Sequence, residues 1–312
     1  MQVDLPNGYA LRSAPERGFG INYAIYRNVN PEFEDFLEYG SDLEGLHYCF
    51  WIFKHDVRIG GVIVRPNHIE GFFLRPPHAN ASEVLEAIMA VVTAWSDRDK
   101  PIEAVDVVLP ELSLYERLGF RIDRGRRVYV RPTEASEIRW PREYQATPPT
   151  REDVSQVADL FHRSFRDYPE EWQLGSYGLQ EWIERTEKRL IPDDMPEECR
   201  QASTLVRDKA RNLVVGACLI ALRRSTTRPE NPYAGISMIG VRPECRRQGL
   251  ATMMVQKALT VLHEQRPTLK FGVAVGNLAE AFYHSLGFLA GPAHYVLLMP
   301  PRRGAGRDDE QP

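Results

Sequence analysis

The chain has 312 residues, 43% of them hydrophobic and 26% charged, with a formal net charge of −4. That length predicts two domains, each able to bury a core without metals or disulfide staples. The slight acidic balance offers no basic surface for nucleic acid, and no apolar run is long enough to predict a membrane span.

Cys49, Cys199, Cys218 and Cys245 lie far apart with no Cys-x-x-Cys pair, which argues against both a thiolate zinc site and a disulfide framework. Met1 to Gly18 contains no continuous apolar stretch of the signal-peptide kind. The expectation is a cytoplasmic protein with reduced thiols and no metal.

In chain order, Tyr9–Ser13 reads as a short strand and Pro31–Tyr39 as a helix opened by Asn30 and Pro31. Three β-rich runs follow, His47–Phe53, Ile59–Val64 and His68–Leu74, the last landing on Arg75-Pro76. Ser82 is placed to cap a helix whose Leu85, Ile88, Met89, Val92 and Trp95 keep helical spacing. A buried-type strand at Ile102–Leu109, a short helix at Leu112–Leu118 and a closing strand at Arg127–Val130 complete this half. The Pro-rich stretch 132–149 reads as a linker.

The order then repeats. Thr150, Glu152 and Asp153 open a helix with Val157, Leu160, Phe161 and Phe165 on one face. Strands are expected at Ala202–Arg207, Leu213–Leu222 and Ala234–Val241, a helix from Gln248 to about Glu264, and a strand at Leu269–Val275. Leu278–Leu286 reads as a helix, Tyr295–Met299 as a last strand and Arg302–Pro312 as a disordered tail. Between Arg166 and Arg200 lies extra chain with Trp172, Tyr177, Trp182, many carboxylates and helical pattern near Leu179–Leu190. This insertion reads either as a cover over a site or as a packed helix pair with a solvated acidic face.

Two matches at nearly one offset make the repetition specific. Leu74-Arg75-Pro76 recurs as Val241-Arg242-Pro243, and Tyr115-Glu116-Arg117-Leu118-Gly119-Phe120 recurs as Tyr283-His284-Ser285-Leu286-Gly287-Phe288. The expected organisation is a first copy at 1–131, a linker at 132–149, a second copy at 150–301 and a tail at 302–312.

The chemistry sits after the second Arg-Pro turn, in Cys245-Arg246-Arg247-Gln248-Gly249-Leu250-Ala251-Thr252. A helix that starts here presents free backbone N–H groups and the positive end of its dipole, which suits a pyrophosphate. Gly249 and Ala251 permit close approach, and Arg246 and Arg247 add positive charge. The pattern Arg246-x-x-Gly249-x-Ala251 resembles the signature of the GNAT (GCN5-related) N-acetyltransferase superfamily. Asn277, Ala281, Tyr283, Gly287 and Phe288 follow at the spacing of that family.

The resemblance implies an α/β fold: two tandem GNAT-like domains, each a splayed mixed sheet flanked by helices, with acetyl-CoA wedged between two diverging strands. It implies acyl transfer from acyl-CoA to an amine acceptor in a ternary complex. Ile239 and Val241 are then the backbone contacts to the pantetheine arm, Arg246, Arg247, Gln248, Gly249, Leu250 and Ala251 form the pyrophosphate loop, and Tyr283 is the general acid. Asn277 is either a contact to the same arm or a helix cap.

Many members carry a Glu on the strand before the turn. Here Ala234–Gly240 has no carboxylate, so the base is a water relay or one of Glu181, Glu184 and Glu187 in the insertion. Cys245 reads as incidental.

The first copy has Arg75-Pro76-Pro77-His78-Ala79-Asn80-Ala81-Ser82-Glu83 at the corresponding place, with no glycine and no arginine cluster after the turn. It reads as degenerate for CoA. The expected assembly is a monomer with an internal pseudo-dimer, or a homodimer, without nucleic-acid or membrane partners. The alternative reading is an inactive acyl-CoA-binding regulatory or scaffold protein.

Overall fold

The computed structural model describes residues 1–30, 48–166, 174–192, 194–223 and 232–301. It divides into two compact units, one made of residues 1–127 and the chain from Pro292 onward, the other of residues 128–291. The helix expected at Pro31–Tyr39, Trp172 and the tail from Arg302 lie outside the described residues.

The first unit contains β1 (Gln2–Asp4), β2 (Tyr9–Ser13), α1 (Glu16–Tyr26), β3 (Cys49–Lys54), β4 (Val57–Arg65) and β5 (His68–Leu74). It continues with α2 (Ala81–Trp95), β6 (Ile102–Val108), α3 (Leu112–Arg117) and the start of β7 (Arg121–Pro132). Strands β1 to β5 form an antiparallel meander, and β5 runs parallel to β6. Helix α2 buries Val84, Leu85, Ile88, Met89 and Val92, the face that its period predicts. Its cap is Asn80, not Ser82: Asn80 Oδ1 accepts from the Glu83 N–H at 3.4 Å, while Ser82 reaches Glu86 at 3.2 Å. Helix α1 has no counterpart in the sequence reading. Gly18 and Gly20 weaken its local signal, and it is held by burial of Phe19 and Tyr23 against Trp51 and Phe73.

The second unit contains β8 (Tyr144–Thr147), α4 (Val154–Phe165), α5 (Leu179–Leu190), α6 (Glu197–Ala202), β9 (Thr204–Asp208) and β10 (Leu213–Arg223). After these come β11 (Tyr233–Val241), α7 (Leu250–Leu262), β12 (Thr268–Ala274), α8 (Ala279–Ser285) and β13 (Leu289–Ala290). Strands β8 to β11 are antiparallel neighbours, and β11 runs parallel to β12. Asp153 accepts from the Thr150 N–H at 2.8 Å and so opens the turn into α4, as the sequence predicts. The core divides over the two faces of the sheet. Helix α7 packs with Met254, Val255 and Leu259 on one, and Phe161 and Trp182 of α4 and α5 on the other.

The stretch read as a linker is part of the second unit. Strand β8 lies inside it, the Thr133 hydroxyl donates to Arg266 O at 2.5 Å, and the Ser136 N–H donates to Thr260 Oγ1 at 3.1 Å. The break between units falls at 127/128, within β7, four residues before the boundary expected from sequence.

The two copies also exchange their last strands. The first part of β7 pairs with β14 (His294–Met299), which inserts between it and β6 in the first unit. The second part of β7 belongs to the second unit, where Tyr129 and Val130 pair with β13 and Thr133 N donates to Pro267 O beside β12. Each sheet is therefore closed by a strand from the other repeat.

Candidate functional site

Strands β11 and β12 pair through only two positions, Ala234 with Leu269 and Gly235 with Lys270, and then separate. Gly235 lies where they are closest, and a Cβ there would stand 3.0 Å from Arg223 Cγ and 3.4 Å from Lys270 O. On the other side of β11 the register with β10 slips so that Ser237 faces no partner. Such a bulge re-aims the strand, and bulges recur beside active sites. Arg242 N donates to Val215 O of β10 at 2.9 Å. The two-residue alternation of a strand then turns the backbone groups of Val241 and Ile239 away from β10, toward the gap. The Val241 carbonyl already accepts from Ser164 Oγ at 3.2 Å and Arg246 Nε at 3.3 Å, leaving Ile239 as the more accessible of the two.

At the open end of the gap the chain makes a tight loop into α7. Arg247 has φ +61° and Gly249 φ +79°, both left-handed, and Gly249 is the residue before the helix. A Cβ on Gly249 would have room, with Met253 Cε the nearest atom at 3.8 Å, so it is the backbone angle that calls for glycine. With no side chain to cap it, the first turn of this 13-residue helix leaves its N–H groups for an external acceptor.

The side chains of the loop are placed as follows. Arg246 donates to Ser164 O at 2.9 Å as well as to Val241 O, so its guanidinium ties the loop to α4. Arg247 is exposed and supplies the positive charge. Gln248 accepts from the Tyr144 hydroxyl at 2.7 Å. Leu250 is buried and Ala251 half-buried, their side chains packed against the α7 core. Beneath them Arg242, 3% exposed, donates to Val214 O at 2.8 Å and to Asp159 at 2.6 Å. Burial alone would raise the Asp159 carboxyl, but hydrogen bonds and charge from Arg242 and Arg163 outweigh it and hold it below the usual range.

Tyr283 of α8 is buried beside Phe271 of β12, with ring centroids 4.2 Å apart, and touches Tyr129 and Phe288. Tyr129 is a residue that the sequence reading missed, since it belongs to the first copy's closing strand. Asn277 Oδ1 accepts from the Ala279 N–H at 2.7 Å, a cap-type contact at the start of α8. Glu181 accepts from the Gly178 N–H at 2.8 Å and caps α5. Glu184 and Glu187 are exposed, while Trp182, Thr186 and Leu190 form the buried face of the same helix. The three carboxylates thus lie on the solvated side. Cys245 is buried and its thiol is pushed up by burial first and then by Glu244, the opposite of an activated nucleophile.

In the first unit the equivalent gap is bridged. Strands β5 and β6 pair from His68–Glu70 to Glu103–Val105 and part at Gly71 and Asp106, both left-handed. Tyr23 of α1 lies against Gly71 and donates to the Asp106 carboxylate. Arg27 donates to Asp106 O at 2.7 Å and to Glu111, and His294 bonds the other Asp106 oxygen. Burial works against the charge on Asp106, but His294, Arg27 and Tyr23 together keep its carboxyl below the usual range. Burial, then the Asp106 charge, pushes the Tyr23 hydroxyl well up.

Residues 145–290 match the family model described as an acetyltransferase (GNAT) domain. Those residues are a GNAT domain. A GCN5-related N-acetyltransferase from Sphaerobacter thermophilus is similar in structure over both units, with 15% identity, 96% of this chain and 98% of that chain covered, and a TM-score of 0.61. An acetyltransferase of the GNAT family from Colwellia psychrerythraea gives 15% identity, 93% and 98% coverage and a TM-score of 0.51. The glucosamine N-acetyltransferase region of a fungal GH3 β-N-acetylglucosaminidase gives 12% identity, covers 94% of this chain and 38% of that one, and has a TM-score of 0.52. No curated protein matches this sequence. The GNAT fold supports N-acyltransferase activity in general, and it is the second unit that carries the domain's loop. Among the described residues no helix is long and apolar enough to cross a membrane, and no cluster of three or more His, Cys, Asp or Glu is placed to hold a metal.

Proposed function

We propose that the second unit transfers an acetyl group from acetyl-CoA to a primary amine by direct attack in a ternary complex. The observation that carries this is the gap between β11 and β12 opening onto the uncapped, left-handed start of α7. The donor's pyrophosphate fits the N–H groups of residues 249–251 with Arg247 above them. Its pantetheine arm fits along Ile239, in the manner of an added strand.

The amine nitrogen attacks the thioester carbon, a C–N bond forms, and the C–S bond breaks. The departing thiolate takes a proton from the Tyr283 hydroxyl, which solvent restores, and the amine loses its own proton through water. An amine near pKa 10.4 costs roughly 4–5 kcal/mol to neutralise at pH 7, whereas one near 7.8 costs about 1. With no carboxylate on β11, acceptors of low amine pKa, such as amino sugars, are favoured. N–H groups around the Ser237 bulge are the candidates to stabilise the tetrahedral oxyanion.

Calorimetric titration of acetyl-CoA into wild type and Gly249→Glu tests the donor site. Heat of binding with wild type and none with the variant is expected, since the substitution adds both a side chain at φ +79° and a negative charge. Absence of binding to wild type would overturn the assignment. A second reading, an inactive acyl-CoA sensor, draws on the missing strand carboxylate. Tyr283→Phe separates the two: an enzyme is expected to lose about 10²-fold in kcat while retaining acetyl-CoA affinity. If no amine from a panel including glucosamine and short peptides releases CoA thiol with wild type, the sensor reading stands instead.

A further inference from the structure

We propose that Tyr129, a residue of the first repeat, is a positioning residue of the second unit's acyl-transfer site and acts by holding Tyr283. The inference rests on the reading of Tyr283 as the general acid.

The geometry is a closed set of rings. Tyr129 stacks on Phe271 at 5.9 Å with an interplanar angle of 7°, and its centroid lies 6.0 Å from Tyr283. Phe271 in turn contacts Tyr283 at 4.2 Å and Phe288 at 4.9 Å. Both tyrosines are buried, 3% and 5% exposed. Helix α8 has only seven residues and ends within three residues of Tyr283, so its own backbone does little to fix that side chain. Rings packed from β7 and β12 restrict its χ angles instead. Catalytic groups held on short helices depend on such neighbours for placement.

The first unit provides an internal comparison. The repeat that relates Tyr115 to Tyr283 relates Tyr129 to Leu297 of β14. Because the closing strands are exchanged, Leu297 packs in the first unit's core with Tyr115 and Phe120, the place that Tyr129 holds beside Tyr283 and Phe288. Tyr115 has no open gap to serve, since Tyr23 lies against Gly71 of β5 and donates to Asp106 of β6 there. The unit with the bridged gap uses an aliphatic residue at this position, and the unit with the open gap uses a tyrosine. It follows that Tyr129→Leu installs a side chain that this fold already accepts in the same place.

A double-mutant cycle in the full-length protein tests the proposal. Thiol release from acetyl-CoA is measured with hydroxylamine, a nucleophile neutral at pH 7 that bypasses the unidentified acceptor. The variants are Tyr129→Leu, Tyr129→Phe, Tyr283→Phe and Tyr129→Leu/Tyr283→Phe. Tyr129→Leu is expected to lower kcat by about tenfold with the KM for acetyl-CoA unchanged, because misplacement of a catalytic group costs rate while donor contacts remain. Tyr129→Phe, which keeps the ring, is expected to restore most of that loss. In the Tyr283→Phe background, Tyr129→Leu is expected to add less than about twofold, since coupled residues are non-additive.

A tenfold effect that persists undiminished in the Tyr283→Phe background would mean that Tyr129 acts on the fold and not through Tyr283. An unchanged kcat for Tyr129→Leu, with Tyr283→Phe impaired, would also overturn the proposal while sparing the acid assignment. An unimpaired Tyr283→Phe, or a wild type that releases no thiol, would remove the acid reading and the proposal with it.

Discussion

Ending the chain at Gly291 is expected to unfold the first unit while the second keeps its fold. Strand β14 is an interior strand there, bonded to β6 on one side and to residues 121–126 of β7 on the other. Its removal takes away Leu297, fully buried, and Val296, 8% exposed, and it leaves two strand edges open. Burial of each such side chain contributes about 1.5–3 kcal/mol, and the unmade ladder adds to that, against a total stability of roughly 5–15 kcal/mol for a domain. Hydrogen exchange followed by mass spectrometry reads the result by segment. Loss of protection in β5 and β6 with protection retained in β10 and β11 is the expected pattern. Equal protection in the truncated and full chains would mean that the strand exchange carries no stability.

The reciprocal cut is expected to damage the second unit. A chain begun at Tyr144 lacks residues 128–132, which pair with β13 and put Tyr129 against Phe271 and Tyr283. Neither repeat folds as a self-sufficient piece on this view, which accounts physically for retention of a first copy that has no phosphate loop.

The second large effect is expected from Arg27→Ala. This guanidinium is 8% exposed in its side chain and is bonded to Glu111 and to Asp106. Its loss takes the guanidinium away from the buried Asp106 and the half-buried Glu111, and breaking a buried pair in this way costs about 3–5 kcal/mol. The acid response carries a sign. The folded Asp106 carboxyl lies below its ordinary value, so its contribution is present above about pH 4 and is lost as pH falls through the folded value. Removing Arg27 removes one of the charges that hold it down, and acid unfolding of the first unit should move to higher pH. Tyr23 and His294 still face Asp106, so the shift is partial. Urea melts at pH 7 and pH 4, read by exchange on β5 and β6 peptides, check both points. A variant as stable as wild type at both would show that the bridge over this gap is not stabilising.

Much of this molecule is local and therefore readable from the chain. Strand β5 and helix α5 fall where β-rich composition and helical period place them, His68–Leu74 and Leu179–Leu190, because residue preference and the burial of one helix face are both expressed over a few residues. The GNAT resemblance rested on Arg246, Gly249 and Ala251 together with Asn277, Ala281, Tyr283, Gly287 and Phe288 downstream, and the family model covers them all. Backbone angles such as φ +79° are likewise written locally, in a glycine.

What the sequence could not decide is which repeat supplies each closing strand. Strands β7 and β14 come from corresponding places in the two copies, and their apolar patterns suit either sheet. Only the competition between two complete tertiary packings selects the exchange. The same reason hides Tyr129, whose partners Phe271 and Tyr283 are more than 140 residues away. It also hides the hold on Arg246, whose guanidinium donates to the carbonyl of Ser164 on a helix far earlier in the chain. Period and turn chemistry act over a few residues, whereas the pairing of strands and the destination of a long side chain depend on what the folded sheet brings within reach.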